Sequence, residues 1–295
     1  MQPRGGGASE ATGGGYSEAA MASNMTILDA GTLYVAKLSS DIPAGEIDGS
    51  GKLPSSGSFA GTGTWIPLLR SGPDGKAESL VPGVTAQEAA VFTRFAADKA
   101  GATKMDRPED IATNPKKTGK VYVALTNNSK RGASGEAPAD AANPRNDNKS
   151  GQILEITDDH TGTDFTWDLL LVCGYPAAAD TYYGGFDKTK VSPISCPPDN
   201  LTFDSHGNLW ISTDGNALDA NDGLFAVALE GPNRGGRPNS SSRSRWVRRR
   251  ADRSSRTMWC WSECSILART TTTASTIRCR TGPTAATVPR VRRWW

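Results

Sequence analysis

Lysine vanishes from this 295-residue chain after Lys190, and histidine occurs only twice, as His160 and His206. Both histidines sit in turn-like settings (DDHTG and DSHGN) and are expected at the surface. With no GxSxG either, a Ser-His-Asp triad has no place to form. P-loop, GxGxxG and HExxH patterns are missing too, which leaves metal-based chemistry favoured over a nucleophile–base pair. No apolar run approaches 18 residues, so neither a membrane span nor a signal peptide is expected. Cysteine is sparse: before position 235 only Cys173 and Cys196 occur, without CxxC spacing. A disulfide, metal ligands and buried thiols all fit that spacing, and buried thiols are the expectation.

What is present divides unevenly. The net charge of +2 averages a body of 234 residues with nineteen basic and twenty-nine acidic side chains and a tail, 235–295, with fourteen Arg and two acids, Asp252 and Glu263. The body is therefore at −10 and the tail at +12. The tail also holds five of the eight Trp and three of the five Cys. One interpretation is a basic arm with salt-dependent affinity for phosphate. The expectation is instead a stretch translated out of frame and disordered over 236–295, because Arg248-Arg249-Arg250 and the terminal Arg-Arg-Trp-Trp are what GC-rich DNA yields in a shifted frame. Residues 1–22 are a low-complexity segment rich in Gly, Ala and Ser.

The body has the texture of a β protein, with short apolar runs cut by Gly, Pro, Asn and Asp. Segments 24–38, 110–127 and 200–214 resemble one another, each with a strand headed by a glycine: Gly31, Gly119 and Gly207, spaced 88 residues apart. Such a repeat predicts an all-β fold over 23–235, a β-propeller, with an ordinary β-sandwich of similar hairpins as the alternative. Because 88 is about twice the usual blade length of ~40–50 residues, each interval holds two blades or one blade with a long insertion. The one expected helix spans 85–99, opened by a Thr85–Glu88 capping box, with Ala89, Phe92, Phe95 and Ala96 on one face.

The candidate site lies at the strand ends that such a repeat brings together. Glu109-Asp110 and Asp199-Asn200 occupy the same place in two copies, each behind a proline, with Ser23-Asn24 in the third. Carboxylate and amide oxygens gathered in a central channel are hard ligands suited to Ca²⁺. Asp214 ends the third repeat strand and is either a further ligand or a turn residue. The long loop 127–151 is dense in Asn and Asp. Within it Arg145 is a candidate to clamp an anionic group in bidentate fashion.

These segments taken together resemble the PhoX-type alkaline phosphatases. The resemblance rests on MDRPEDIATNPKKTGKVYVALTNN (105–128), ANPRNDNKSGQILEI (142–156), SCPPDNLTFDSHGNLWISTDG (195–215) and DGLFAVALEGPNRG (222–235), with NMTILDAGTLYVAKL upstream. It implies a six-bladed propeller that hydrolyses phosphate monoesters with Ca²⁺ and Fe³⁺ at its centre, exported to the periplasm or beyond. By the same resemblance Glu109 is the leading metal ligand, Asp199 and Asn200 lie in the other matching metal-site motif, and Asn143 and Arg145 lie in the loop motif as substrate-binding residues, with Arg145 catalytic; Asp110 and Asp214 join the metal set from the repeats. Partners are then a small phosphate ester, with no membrane and no nucleic acid, and the chain is expected to be a monomer. Family members are longer, and the tail here lacks their Gly-Ala-Glu-like and Gln-His-Pro-Gly-Glu-like motifs, so an incomplete propeller with little activity is expected. Cys-Pro-Pro-Asp-Asn carries one proline more than the family pattern, which bears on the geometry at Asp199. A Ca²⁺-dependent propeller lactonase and a non-enzymatic propeller with a basic arm are the alternatives.

Overall fold

Alternating apolar and polar residues between turn formers favour strands, and the computed structural model is built mainly of them. It describes residues 29–194, 196–215, 222–231 and 234, plus the backbone of two-residue strands at 2–3, 259–260 and 278–279. In chain order the strands are β1 (Gln2–Pro3), β2 (Gly31–Ser39), β3 (Ala60–Ser71), β4 (Ala77–Ser79), β5 (Pro108–Thr113), β6 (Lys120–Leu125) and β7 (Gln152–Thr157). They continue with β8 (Asp164–Val172), β9 (Tyr182–Tyr183), β10 (Pro198–Phe203), β11 (Leu209–Thr213), β12 (Leu224–Val227), β13 (Trp259–Cys260) and β14 (Arg278–Cys279). Ser23-Asn24 and the remainder of 236–295 lie outside the described residues.

Strands β5, β6, β7 and β8 form an antiparallel meander, and β10, β11 and β12 form a second. The first strands of the two, β5 and β10, pack side by side. These are two neighbouring blades of an incomplete propeller. The interval from Gly119 to Gly207 therefore holds one blade with long insertions. Its outer strand β8 also pairs with β3 through Ala60–Thr64, and β3 carries β2 and β4. The sheet thus continues past the blade edge, where hydrogen-bonding groups would otherwise be left open.

Gly119 and Gly207 both turn with positive φ, +82° and +83°, the left-handed region that glycine enters at no steric cost. Gly31 differs: it opens β2, which hydrogen-bonds β3 at the far side of the sheet. Two copies of the repeat are hairpins of the same kind, and the third strand serves another layer.

Because side chains on a strand alternate between faces, β6 feeds two cores. Tyr122 and Ala124 join Ile153, Leu171, Leu201, Leu209, Ile211 and Phe225 between the two blades. Val123 and Leu125 join Phe59, Leu154, Ile156, Trp167 and Leu169 on the opposite face. Full burial of each large aliphatic side chain stabilises by about 1.5–3 kcal/mol.

The helical region is split where one helix was expected. Thr85 and Glu88 form the predicted capping box, but Phe92, at φ −108° and ψ 50°, splits the segment into α1 (Ala86–Val91) and α2 (Thr93–Ala100). The break changes which residues share a face. Ala89 and Ala96 still pack on Leu68, Val81 and Val84, whereas Phe92 and Phe95 turn to solvent, 60% and 48% exposed.

Candidate functional site

Each blade opens with a proline followed by an acid, and the register explains why that acid stands apart. In the first hairpin Pro108 faces Leu125 and Asp110 faces Ala124, so Glu109 is an extra residue with no partner across the ladder. In the second, Pro198 faces Thr213 and Asn200 faces Ser212, so Asp199 is the extra residue. A β-bulge of this kind re-aims one side chain while the rest of the strand keeps its alternation. Proline, lacking an N–H, suits the first position of each strand. The additional Pro197 leaves the register intact: its carbonyl accepts from Asp214 N at 3.1 Å, and the Pro198 carbonyl accepts from the Thr126 hydroxyl at 2.8 Å.

The two bulged acids face a shared region. Asp199 is half-buried; burial, and then Asp214, Glu109 and Asp110, push its carboxyl above the ordinary carboxylate range, and Arg107 opposes them. Arg107 donates to Glu109 Oε1 at 3.2 Å and to Asn127 Oδ1 at 2.9 Å. Asp222 is a further acid near Asp214: its carboxyl is also raised by burial and by Asp214, and it accepts from the Thr213 hydroxyl at 3.4 Å. Neither Arg107 nor Asp222 was singled out from the sequence, although each stands within a family-like segment, one two residues before Glu109 and the other opening the strand after Asp214.

Asp110 and Asn200 are tied into the framework. Asp110 accepts from Ile111 N and, across the seam between blades, from Leu201 N, each at 2.8 Å. Asn200 is exposed, its Oδ1 taking the Ser212 hydroxyl at 3.3 Å. Asp214 is exposed at the end of β11. The donor set is one of hard oxygens with surplus negative charge, which fits a multivalent cation in kind and in sign. Among the described residues, however, no three His, Cys, Asp or Glu side chains stand close enough to enclose an ion.

Arg145 and Asn143 stand in loop 127–151, and both are buried there. Arg145 is 7% exposed, and all five of its N–H groups are used. Nε and Nη2 donate to Asn148 Oδ1 at 3.0 and 2.6 Å, Nη2 also to the Gly151 carbonyl, and Nη1 to the Cys173 and Asp180 carbonyls. No donor is left for a phosphate. Asn143 is fully buried, bonded to Asp140, the Lys104 carbonyl and Asp106 N. Both belong to a network that fixes loop 127–151. At its centre Asp106, with no exposed surface, accepts from Arg131 Nε at 2.6 Å, Asn128 Nδ2 at 3.0 Å and Asn148 Nδ2 at 3.0 Å. Asp106 directly precedes Arg107, so the loop anchors the start of β5. The dense Asn and Asp of this loop are thus structural.

Cys173 and Cys196 are buried and form no disulfide, and burial pushes the Cys173 thiol up to about 12. His160 and His206 are exposed.

Comparison with known proteins bears on this arrangement. The alkaline phosphatase PhoX family matches residues 12–257, a span wider at both ends than the propeller range expected from the repeats. Among solved structures, PhoX of Pseudomonas fluorescens in complex with vanadate, a transition state analogue, is similar at 34% identity with a TM-score of 0.54. That similarity covers 72% of this chain and 36% of the other, so the chain spans about a third of that relative's length. No functionally curated protein matches.

Proposed function

The chain belongs to the PhoX alkaline phosphatase family, and from that premise we propose that its body forms part of a metal-dependent site for hydrolysis of small phosphate monoesters. The observation that carries the proposal is the pair of equivalent bulges, which present Glu109 and Asp199 to one region together with Asp214 and Asp110. Glu109, Asp199 and Asp214 would each contribute to an oxygen shell that these side chains alone do not complete. Asp110 supports the site mainly by fixing the distance between the hairpins, and Asn200 offers an amide oxygen at the rim. Ca²⁺ and Fe³⁺, the ions of the resemblance, would polarise the phosphoryl oxygens and offset the charge of an in-line displacement. The carboxylates' own task is to concentrate that positive charge. The buried network around Asp106 and Arg131 keeps the first bulge rigid, so little reorganisation is needed on binding.

The family assignment favours phosphoryl transfer over the lactonase alternative. The described side chains supply only part of an ion's shell, and we expect the chain alone to be a weak catalyst. A periplasmic or secreted location and a monomeric state complete the proposal. Two measurements test it. Terbium luminescence on the chain should report a cation site that calcium competes for and that Asp199→Asn weakens about tenfold or more. Incubation with a chromogenic phosphate ester, Ca²⁺ and Fe³⁺ should give slow release at best. A chain that binds neither ion overturns the site, and rapid turnover overturns the expectation of weak activity.

A further inference from the structure

We infer that a cleft beside β8 is a second binding site, separate from the acids of the blades, for a single-chain amphipathic anion such as a medium-chain carboxylate. The cleft lies between the end of β2, the turn that follows α2 and residues 137–142 of the long loop. Its volume of about 520 Å³ falls in the range of pockets that hold drug-sized molecules. The floor belongs to the second core: Leu38, Ile42, Ile47, Ala141 and Ala142 pack in one cluster with Trp167, and all six line the cleft. Ile42 and Ile47 are only half-buried, so apolar surface is left for a ligand to cover.

The polar groups of the walls are already committed. Trp167 Nε1 donates to the Ser39 and Thr62 carbonyls at 3.1 and 2.9 Å, and the Ser40 hydroxyl donates to the Ala60 carbonyl at 2.6 Å. The Thr103 hydroxyl accepts from Leu38 N at 2.8 Å. Asp140 accepts from Ala142 N and Asn143 N at 2.9 and 2.8 Å and lies 3.6 Å from Arg131 Nη1, so its charge is offset and attracts no cation. The charge left over is positive. Lys37 is exposed and forms no ion pair among the described residues, and Lys104 stands 3.8 Å from Asp98 with both side chains more than half exposed. So loose a pair contributes little and exchanges readily for another anion. An apolar body in the cleft therefore places its head at two ammonium groups. The same walls brace the first bulge: the Lys104 and Pro138 carbonyls accept from Arg131, the partner of buried Asp106. A ligand that spans them ties that brace together.

The test titrates the full chain with sodium decanoate by calorimetry, with decyltrimethylammonium as a cation of the same chain length. Decanoate is expected to bind saturably at one site, about tenfold or more tightly than the ammonium, and to raise the thermal unfolding midpoint. Ala139→Trp fills the cleft and should weaken decanoate about tenfold or more and remove the shift in midpoint. Lys37→Glu combined with Lys104→Glu should weaken it by a similar factor. If Ala139→Trp fails to fold by circular dichroism, the double lysine variant decides, because its changes are on exposed side chains and it too must bind less decanoate. Wild-type chain without saturable binding, equal binding of the two amphiphiles, or variants that bind decanoate as wild type does overturn the site. Vesicles of phosphatidylglycerol offer the same chemistry in a bilayer and should not sediment the chain. Sedimentation abolished by the lysine substitutions would assign the cleft to a membrane and overturn the free ligand.

Discussion

The hairpins β5–β6 and β10–β11 share a backbone and differ in everything around it. Each starts on a proline, bulges at an acid, and turns on a glycine at φ near +80°. Yet Glu109 has Arg107 beside it, while Asp199 faces Asp214, Glu109 and Asp110. The first hairpin is also pinned by a buried ion pair at its entrance, between Asp106 and Arg131. The second enters through Pro197 and Pro198, stiff by composition. One repeated geometry thus yields one charge-compensated acid and one acid surrounded by its own kind. Backbone repetition places the groups, and the neighbours decide their chemistry.

The largest expected effect comes from unpinning the first hairpin. Arg131→Met leaves Asp106 buried without its partner and should destabilise by about 3–5 kcal/mol in urea unfolding. Adding Asp106→Leu should recover part of that loss. If Arg131→Met costs less than the Ala substitution of an exposed lysine, the two hairpins are equally self-supporting and the contrast fails.

A half-buried acid of the first blade, away from the site, separates burial from ligand duty. Asp168 lies opposite Glu155 in the sheet; burial, and then the Glu155 charge, raise its carboxyl to about 6 despite Lys120 and Arg234. The folded protein therefore holds this proton more tightly than the unfolded chain. Its contribution is full below about pH 4 and is lost as pH rises through about 6. Asp168→Asn should raise stability at pH 8 by about 2–3 kcal/mol and have little effect at pH 4. An equal gain at both pH values would refute the assignment.

The turn glycines give a finer comparison. A Cβ at Gly119 would meet the Asp158 carbonyl oxygen at 2.3 Å, whereas at Gly207 it would meet the flexible Lys116 side chain at 3.0 Å. Both alanine variants bear the cost of positive φ, about 1 kcal/mol, and Gly119→Ala should cost roughly 1–2 kcal/mol more. Thermal unfolding of the two variants side by side checks the order. Smallest of all, Asp199→Asn should change stability by less than about 1 kcal/mol, since the site is open to water.

Much of this was legible in the residues. Gly119 and Gly207 announced two equivalent hairpins, and the prolines before Glu109 and Asp199 marked equivalent positions. The bulge itself was not legible, because it is a property of the pairing register and both strands must be known. Gly31 misled for a related reason: a local Gly-x-apolar-aromatic pattern cannot state which strand it pairs with. Phe92 and Phe95 follow helical spacing, but one residue leaving helical geometry is enough to turn them outward. Arg145 misled most. A forked cation among asparagines suits a ligand clamp and a buried brace equally well, and only the count of satisfied donors separates them. Arg107 was overlooked because it stands in the same short motif as the acid that drew notice.

Between the two blades the first strands share no ladder pairing; the Asp110 carboxylate instead receives Leu201 N. That side chain acts as a spacer of fixed length. The gap between the Glu109 and Asp199 carboxylates is therefore gauged by a single methylene. Lengthening it, as Asp110→Glu does, should leave either hairpin whole while opening the jaw between them, and with it the size of ion the pair can share.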